Sequence, residues 1–150
     1  MRDALVVMED REGCAALLRE AAAYAAGAGT DLVLYSPLTG EEYKEAIETL
    51  DEIGRIENRD YSDEEALGVA RQFAERMAKE TLDGDVAWSV VADVNEELEA
   101  RHVIDAAESR DCDHVFTLGR RRSPTGKAVF GDETQRLILN FEGYVTVKVE

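Results

Sequence analysis

Two kinds of apolar pattern alternate along this chain. Short runs of branched apolar residues without polar alternation read as strands buried on both faces. Longer stretches with an apolar residue at every third or fourth position read as helices with one covered face. Residues 4–8 (Ala-Leu-Val-Val-Met) are the first buried strand. Cys14, Leu17, Leu18, Ala21 and Ala25 follow at helical spacing, and Gly27 and Gly29 stop that helix. Residues 31–36 form a second strand that Pro37 ends. Ala46, Ile47, Leu50 and Ile53 hint at a helix on acidic ground, closed by Gly54. Ser62 and Glu65 have the spacing of a capping box, opening a helix with Ala66, Ala70, Phe73, Ala74 and Met77 on one face. Asp83-Gly84-Asp85 turns the chain into a third strand over residues 86–92. Asn95 is expected to cap a helix striped by Ala100, Val103, Ile104 and Ala107. A fourth strand covers residues 114–118, a helix starts near Asp132, and Tyr144 to Val149 is the fifth strand.

Strands that alternate with helices imply a parallel sheet covered on both faces. No linker or composition break appears, so residues 1–150 read as one three-layer α/β domain. In such sheets ligands bind beyond the carboxyl ends of the strands, where strand order reverses. The first strand ends at Met8-Glu9-Asp10 and the fourth at Gly119-Arg120. These ends meet if the two strands are neighbours.

The connection after the fourth strand carries the candidate chemistry. From Gly119 to Asp132 it holds Arg120, Arg121, Arg122, Gly126, Lys127 and Gly131. Four of the chain's 17 basic residues therefore fall within eight positions. A strand that runs into Gly and Arg and then a helix start suits an anion: backbone N–H groups, the helix dipole and guanidinium forks all favour it. The alternative is that these cations pair with the chain's own carboxylates. The glycine spacing matches neither the dinucleotide fingerprint nor the Gly-Lys-Ser/Thr phosphate loop.

The charge balance narrows the partners. Against those 17 basic residues stand 33 acidic ones, a formal charge of -16. Only Lys44, Lys79, Lys127 and Lys148 are lysines, and the other 13 basic residues are Arg. The acids are spread through intact aliphatic patterns, as in a folded halophilic archaeal protein rather than a disordered acidic tail. Such a surface argues against nucleic acid or an anionic membrane as partner. No apolar stretch approaches the length of a membrane span, and the start of the chain lacks a signal-peptide pattern, so a cytoplasmic location is expected. Cys14 and Cys112 have no paired spacing, and His102 and His114 are too scattered for a metal site.

From Ala4 to Val149 the chain resembles the universal stress protein family. The resemblance lies in a first strand that ends in an acid, an extended region after the second strand, and a late Gly-rich loop before the last helix. Nucleotide-binding members carry Gly, two residues, Gly, nine residues, Gly, then Ser or Thr. Gly131 matches the last Gly, while Arg121 and Leu118 stand where the earlier two belong, with Gly119 displaced by one. Asp132 stands where Ser or Thr is expected. The resemblance implies a five-stranded parallel sheet of order 3-2-1-4-5, an adenine nucleotide alpha hydrolase-like fold with ATP or another adenine nucleotide as ligand. It places Glu9 and Asp10 beside that ligand.

Two functions follow. One is a regulatory stress-response protein that takes a nucleotide or other phosphate through Glu9, Asp10, Gly119, Arg120, Arg122, Gly126, Lys127, Gly131 and Asp132. The other is a dimeric regulatory or scaffold protein of the same fold that binds no nucleotide, favoured by the broken glycine pattern and by Asp132. No Ser-His-Asp spacing or metal motif supports an enzyme beyond slow nucleotide hydrolysis. In the implied order the strand from Tyr144 to Val149 lies at a sheet edge. It lacks Pro and carries one charge, so it is expected to pair with a second copy as a homodimer, as in the family.

Overall fold

Four consecutive residues of β1 (Asp3–Val7), Ala4 to Val7, are fully buried. A strand with no polar alternation can bury both faces only inside a covered sheet. The computed structural model shows this, describing residues 2–40, 42–45, 48, 59–119 and 131–149, with the backbone alone for 59–63. β1 lies at the centre of a five-stranded sheet of order β3-β2-β1-β4-β5, formed with β2 (Leu32–Leu38), β3 (Trp88–Val94), β4 (Cys112–Gly119) and β5 (Tyr144–Val149). Every pairing is parallel: Val6 lies opposite both Leu34 and Phe116, and Val115 lies opposite Val145.

Alternation along the strands sorts the core into two layers. Val6, Met8, Leu32, Leu34, Phe116 and Leu118 pack against α1 (Cys14–Ala28) and α2 (Arg59–Thr81). Leu5, Val7, Val33, Tyr35 and Val115 pack against α3 (Ala100–Ser109) and α4 (Asp132–Asn140). The result is a three-layer α/β sandwich with the order the family resemblance implies.

Local expectations are corrected in four places. β2 continues through Pro37 to Leu38. Ala4 and Met8 donate to the carbonyls of Asp31 and Tyr35, so alternate residues of β2 face β1, and Pro37 falls in that set. β1 has ended by then, so the N–H that proline lacks has no ladder partner to lose. The α2 backbone begins at Arg59, which puts Ser62 inside the helix rather than at its cap. β3 starts two residues later than its apolar run suggests. Asn95 does not cap α3, whose N-cap is Glu99. Its amide donates instead to Asp93 Oδ2 at 3.2 Å and to Tyr35 Oη at 3.4 Å. Ala46, Ile47, Leu50 and Ile53, expected to be helical, lie outside the described residues.

Candidate functional site

Glu9 and Asp10 lie just past the end of the central strand, after Met8. Glu9 lies on the side of α3 and α4, and Asp10 on the side of α2. Each lines a separate cleft at the carboxyl edge of the sheet.

The Glu9 cleft has a volume of about 540 Å³. Its floor is the end of β4 at Thr117 and Leu118, and its walls are the starts of α3 and α4. β1 and β4 are neighbours here while their connections leave in opposite directions, so this is the point where strand order reverses. Gly131 and Asp132 line the same cleft. The structure therefore brings the first-strand acid and the end of the Gly-rich loop to one cleft. The last helix starts at Asp132 as expected, with Gly131 as its N-cap and Asp132 and Glu133 in the first turn of α4. Arg120, Arg122, Gly126 and Lys127 lie outside the described residues, and Gly119 closes β4.

The charged groups on these walls are held by one another. Arg11 Nη1 donates to Glu9 Oε2 at 3.2 Å. Arg136 Nη1 donates to Glu133 Oε1 at 2.5 Å, and the other oxygen of Glu133 accepts the backbone N–H of Ala100 at 2.6 Å. Glu99 gives α3 no side-chain cap, so a carboxylate from another helix supplies the acceptor that its first turn needs. Glu99 pairs with Arg101, whose guanidinium holds the carboxyl below the usual range. Sequence reading missed Glu133 altogether, because its partner lies 33 positions away.

The Asp10 cleft is smaller, about 270 Å³, and is lined by Ser36, Pro37, Glu42, Glu45, Phe73 and Arg76 among others. Ser36 Oγ is committed to the carbonyl of Ala70 at 2.7 Å. Near the ends of β2 and β3, the buried Tyr35 hydroxyl donates to Asp93 Oδ2 at 2.9 Å. Burial first, then that carboxylate, raises the Tyr35 pKa, so it is a neutral donor. Among the described residues no group of His, Cys, Asp and Glu has the arrangement of a metal site, and no helix is long and apolar enough to cross a membrane.

The profile of the universal stress protein family matches residues 1–147, and the chain belongs to that family. No curated protein matches it. Among solved structures, a universal stress protein from Archaeoglobus fulgidus is 22% identical, with 98% of this chain and 97% of that one covered and a TM-score of 0.59. The Archaeoglobus fulgidus protein in complex with dAMP is 16% identical over 98% of this chain and 96% of that one, TM-score 0.54. A universal stress protein in complex with cAMP is 11% identical over 99% and 96%, TM-score 0.60. At these identities the structures establish the shared fold.

Proposed function

We propose that this universal stress family protein binds an adenine nucleotide, or another small phosphate ligand, in the cleft beyond β1 and β4, and acts as a regulatory stress-response protein. The observation that supports this most is that Glu9, Gly131 and Asp132 line one cleft of about 540 Å³, within the size range of small-ligand sites. In this reading the phosphate rests on Gly119, Gly126 and Gly131, with Arg120, Arg122 and Lys127 as counter-charges. Those cations offset the acids of the described walls. Asp10 lines the other cleft and takes no part in this reading. That dAMP and cAMP are bound by proteins of this fold supports an adenine nucleotide as the first candidate. The protein works in the cytoplasm, and its dispersed acidity suits high salt.

A thermal-shift panel in molar salt with ATP, ADP, AMP, cyclic AMP and inorganic phosphate tests the reading. A ligand at 100 times its dissociation constant stabilises by about 2.7 kcal/mol. Changing Arg120, Arg121 and Arg122 together to Gln should abolish that gain. An unchanged response places the phosphate elsewhere.

The second reading is a dimeric scaffold without a nucleotide. It is favoured by the carboxylates around the cleft and by apolar exposure beside the sheet edge. Leu139 on α4 is 80% exposed and Tyr144 on β5 is 67% exposed, with Val149 at the same edge. Pairing of β5 with its copy would cover this edge. Light scattering in high salt should give a dimer mass, and Val149→Lys a monomer mass. A monomeric parent at micromolar concentration removes the dimer.

A further inference from the structure

We infer that Asp83 is a modification site: in the folded protein its side chain closes on the backbone nitrogen of Gly84, and the link between the two residues rearranges from aspartyl to isoaspartyl. The reaction needs no partner but water, and it is independent of the nucleotide reading.

Asp83 and Gly84 are the only Asp–Gly pair in the chain, which has no Asn–Gly pair. They lie in the connection between α2 and β3. Both are exposed, and Gly84 sits at φ +86 with open space where a side chain would stand. Among the described residues, neither the Asp83 carboxylate nor the Gly84 N–H has a hydrogen-bond or ion-pair partner. The nitrogen is therefore free to turn toward the carboxyl group, and the residue that carries it has no Cβ to hinder the approach.

The chemistry proceeds in two steps. The Gly84 nitrogen attacks Cγ of Asp83. The amide proton passes to solvent and a carboxyl oxygen leaves as water, which gives a five-membered succinimide. Water then adds to one of the two ring carbonyls. Opening at the side-chain carbonyl restores aspartate. Opening at the main-chain carbonyl leaves the chain running through Cβ and Cγ, with the former main-chain carbonyl as a free carboxylate. One water is released and one consumed, so the mass is unchanged. Leu82 and Val86, which pack in the layer of α1 and α2, flank the link, and the isoaspartyl form lengthens the path between them by one backbone atom.

Two nearby aspartates lack these conditions. Asp85 is exposed in the same connection, but the next nitrogen belongs to Val86, whose branched side chain is buried. Asp93 has both carboxylate oxygens engaged: Val94 N–H donates to Oδ1 at 3.0 Å and the Tyr35 hydroxyl to Oδ2 at 2.9 Å.

The test is prolonged incubation of the folded protein in molar KCl beside a synthetic peptide of residues 80–101. Trypsin releases the same segment from the protein, since Lys79 and Arg101 bound it. Electron-transfer fragmentation then locates isoaspartate at Asp83, Asp85 or Asp93. Isoaspartate should accumulate at position 83 at a rate within about tenfold of the peptide's, because exposed loop backbone opens at almost no free-energy cost. A species lighter by one water at the same position marks the succinimide. Asp83→Glu, whose ring would need one more member, should abolish the signal and leave the unfolding midpoint unchanged. A rate at position 83 slower than that limit would show that the fold holds the pair apart, and overturns the inference. Isoaspartate arising as fast at Asp85 or Asp93 as at Asp83 overturns it as well.

Discussion

The Glu133 carboxylate, in the first turn of α4, accepts the backbone N–H of Ala100, the first residue of α3, at 2.6 Å. A helix whose own N-cap side chain makes no capping bond is thus capped from its neighbour, and the two walls of the cleft are tied at their open ends. Glu133→Ala leaves that N–H without its carboxylate and frees Arg136. It should lower the unfolding free energy by about 1 kcal/mol in guanidinium titrations, the usual cost of a lost cap. Glu133→Gln should lose less, because the amide oxygen still accepts.

Gly143 and Gly27 should respond in opposite senses to alanine. Asp113 is left without a partner where the register of β1 and β4 slips. Gly143, at φ +150, lies against its carbonyl. A Cβ there would sit under 3.0 Å from that oxygen and 2.8 Å from Phe141 Cε2. Gly143→Ala should cost more than about 1 kcal/mol and disturb the start of β5. Gly27 lies in the last turns of α1 with open space around it. Gly27→Ala should stabilise by about 0.5–1 kcal/mol. Both are read from chemical denaturation.

His114 predicts a pH dependence. Its ring stacks on Phe116 at 4.4 Å, lies beside Tyr24 and Tyr144, and its Nε2 is 2.7 Å from Thr146 Oγ1. Burial lowers its pKa from the ordinary value of 6.5, with the charge of Asp113 opposing. The folded state therefore binds fewer protons than the unfolded chain between the lowered value and 6.5. Its contribution is complete above 6.5 and is lost as pH falls through that window. The stability difference between the parent and His114→Phe should shrink from pH 7 to pH 5. A difference that does not vary with pH would contradict this.

The two thiols should be inert in the folded protein. Burial, then Asp3, Asp111 and Asp113, pushes Cys112 up to about 11, and burial also raises Cys14. At pH 8 roughly one Cys112 in a thousand is thiolate, and both side chains are covered. Labelling by a thiol reagent should proceed only at the rate of unfolding. Immediate uptake of one equivalent would show an open thiol.

The apolar runs of β1, β2 and β4 made the sheet legible, since unbroken branched residues have no stable place except between two helical layers. The strand order came from the family resemblance. What the sequence hid was decided by distant partners. Ser62 has capping spacing, but α2 starts before it. Asn95 is a good cap residue, but Asp93 and Tyr35 hold its amide. Pro37 reads as a breaker until the early end of β1 is known. At the cleft, Glu9, Gly131 and Asp132 were legible because they sit at strand and helix ends, where ligands meet such sheets. Glu133 was not, because nothing near it in sequence signals a bond to Ala100.

The central claim is that a phosphate ligand enters the cleft between β1 and β4. Backbone amide resonances followed during AMP titration in molar KCl test it most directly. The account predicts saturable shifts centred on Glu9, Leu118, Gly119, Gly131 and Asp132, with smaller shifts at Ala100 through Glu133. Shifts confined to other faces of the sheet, or no shifts up to millimolar AMP, would contradict it.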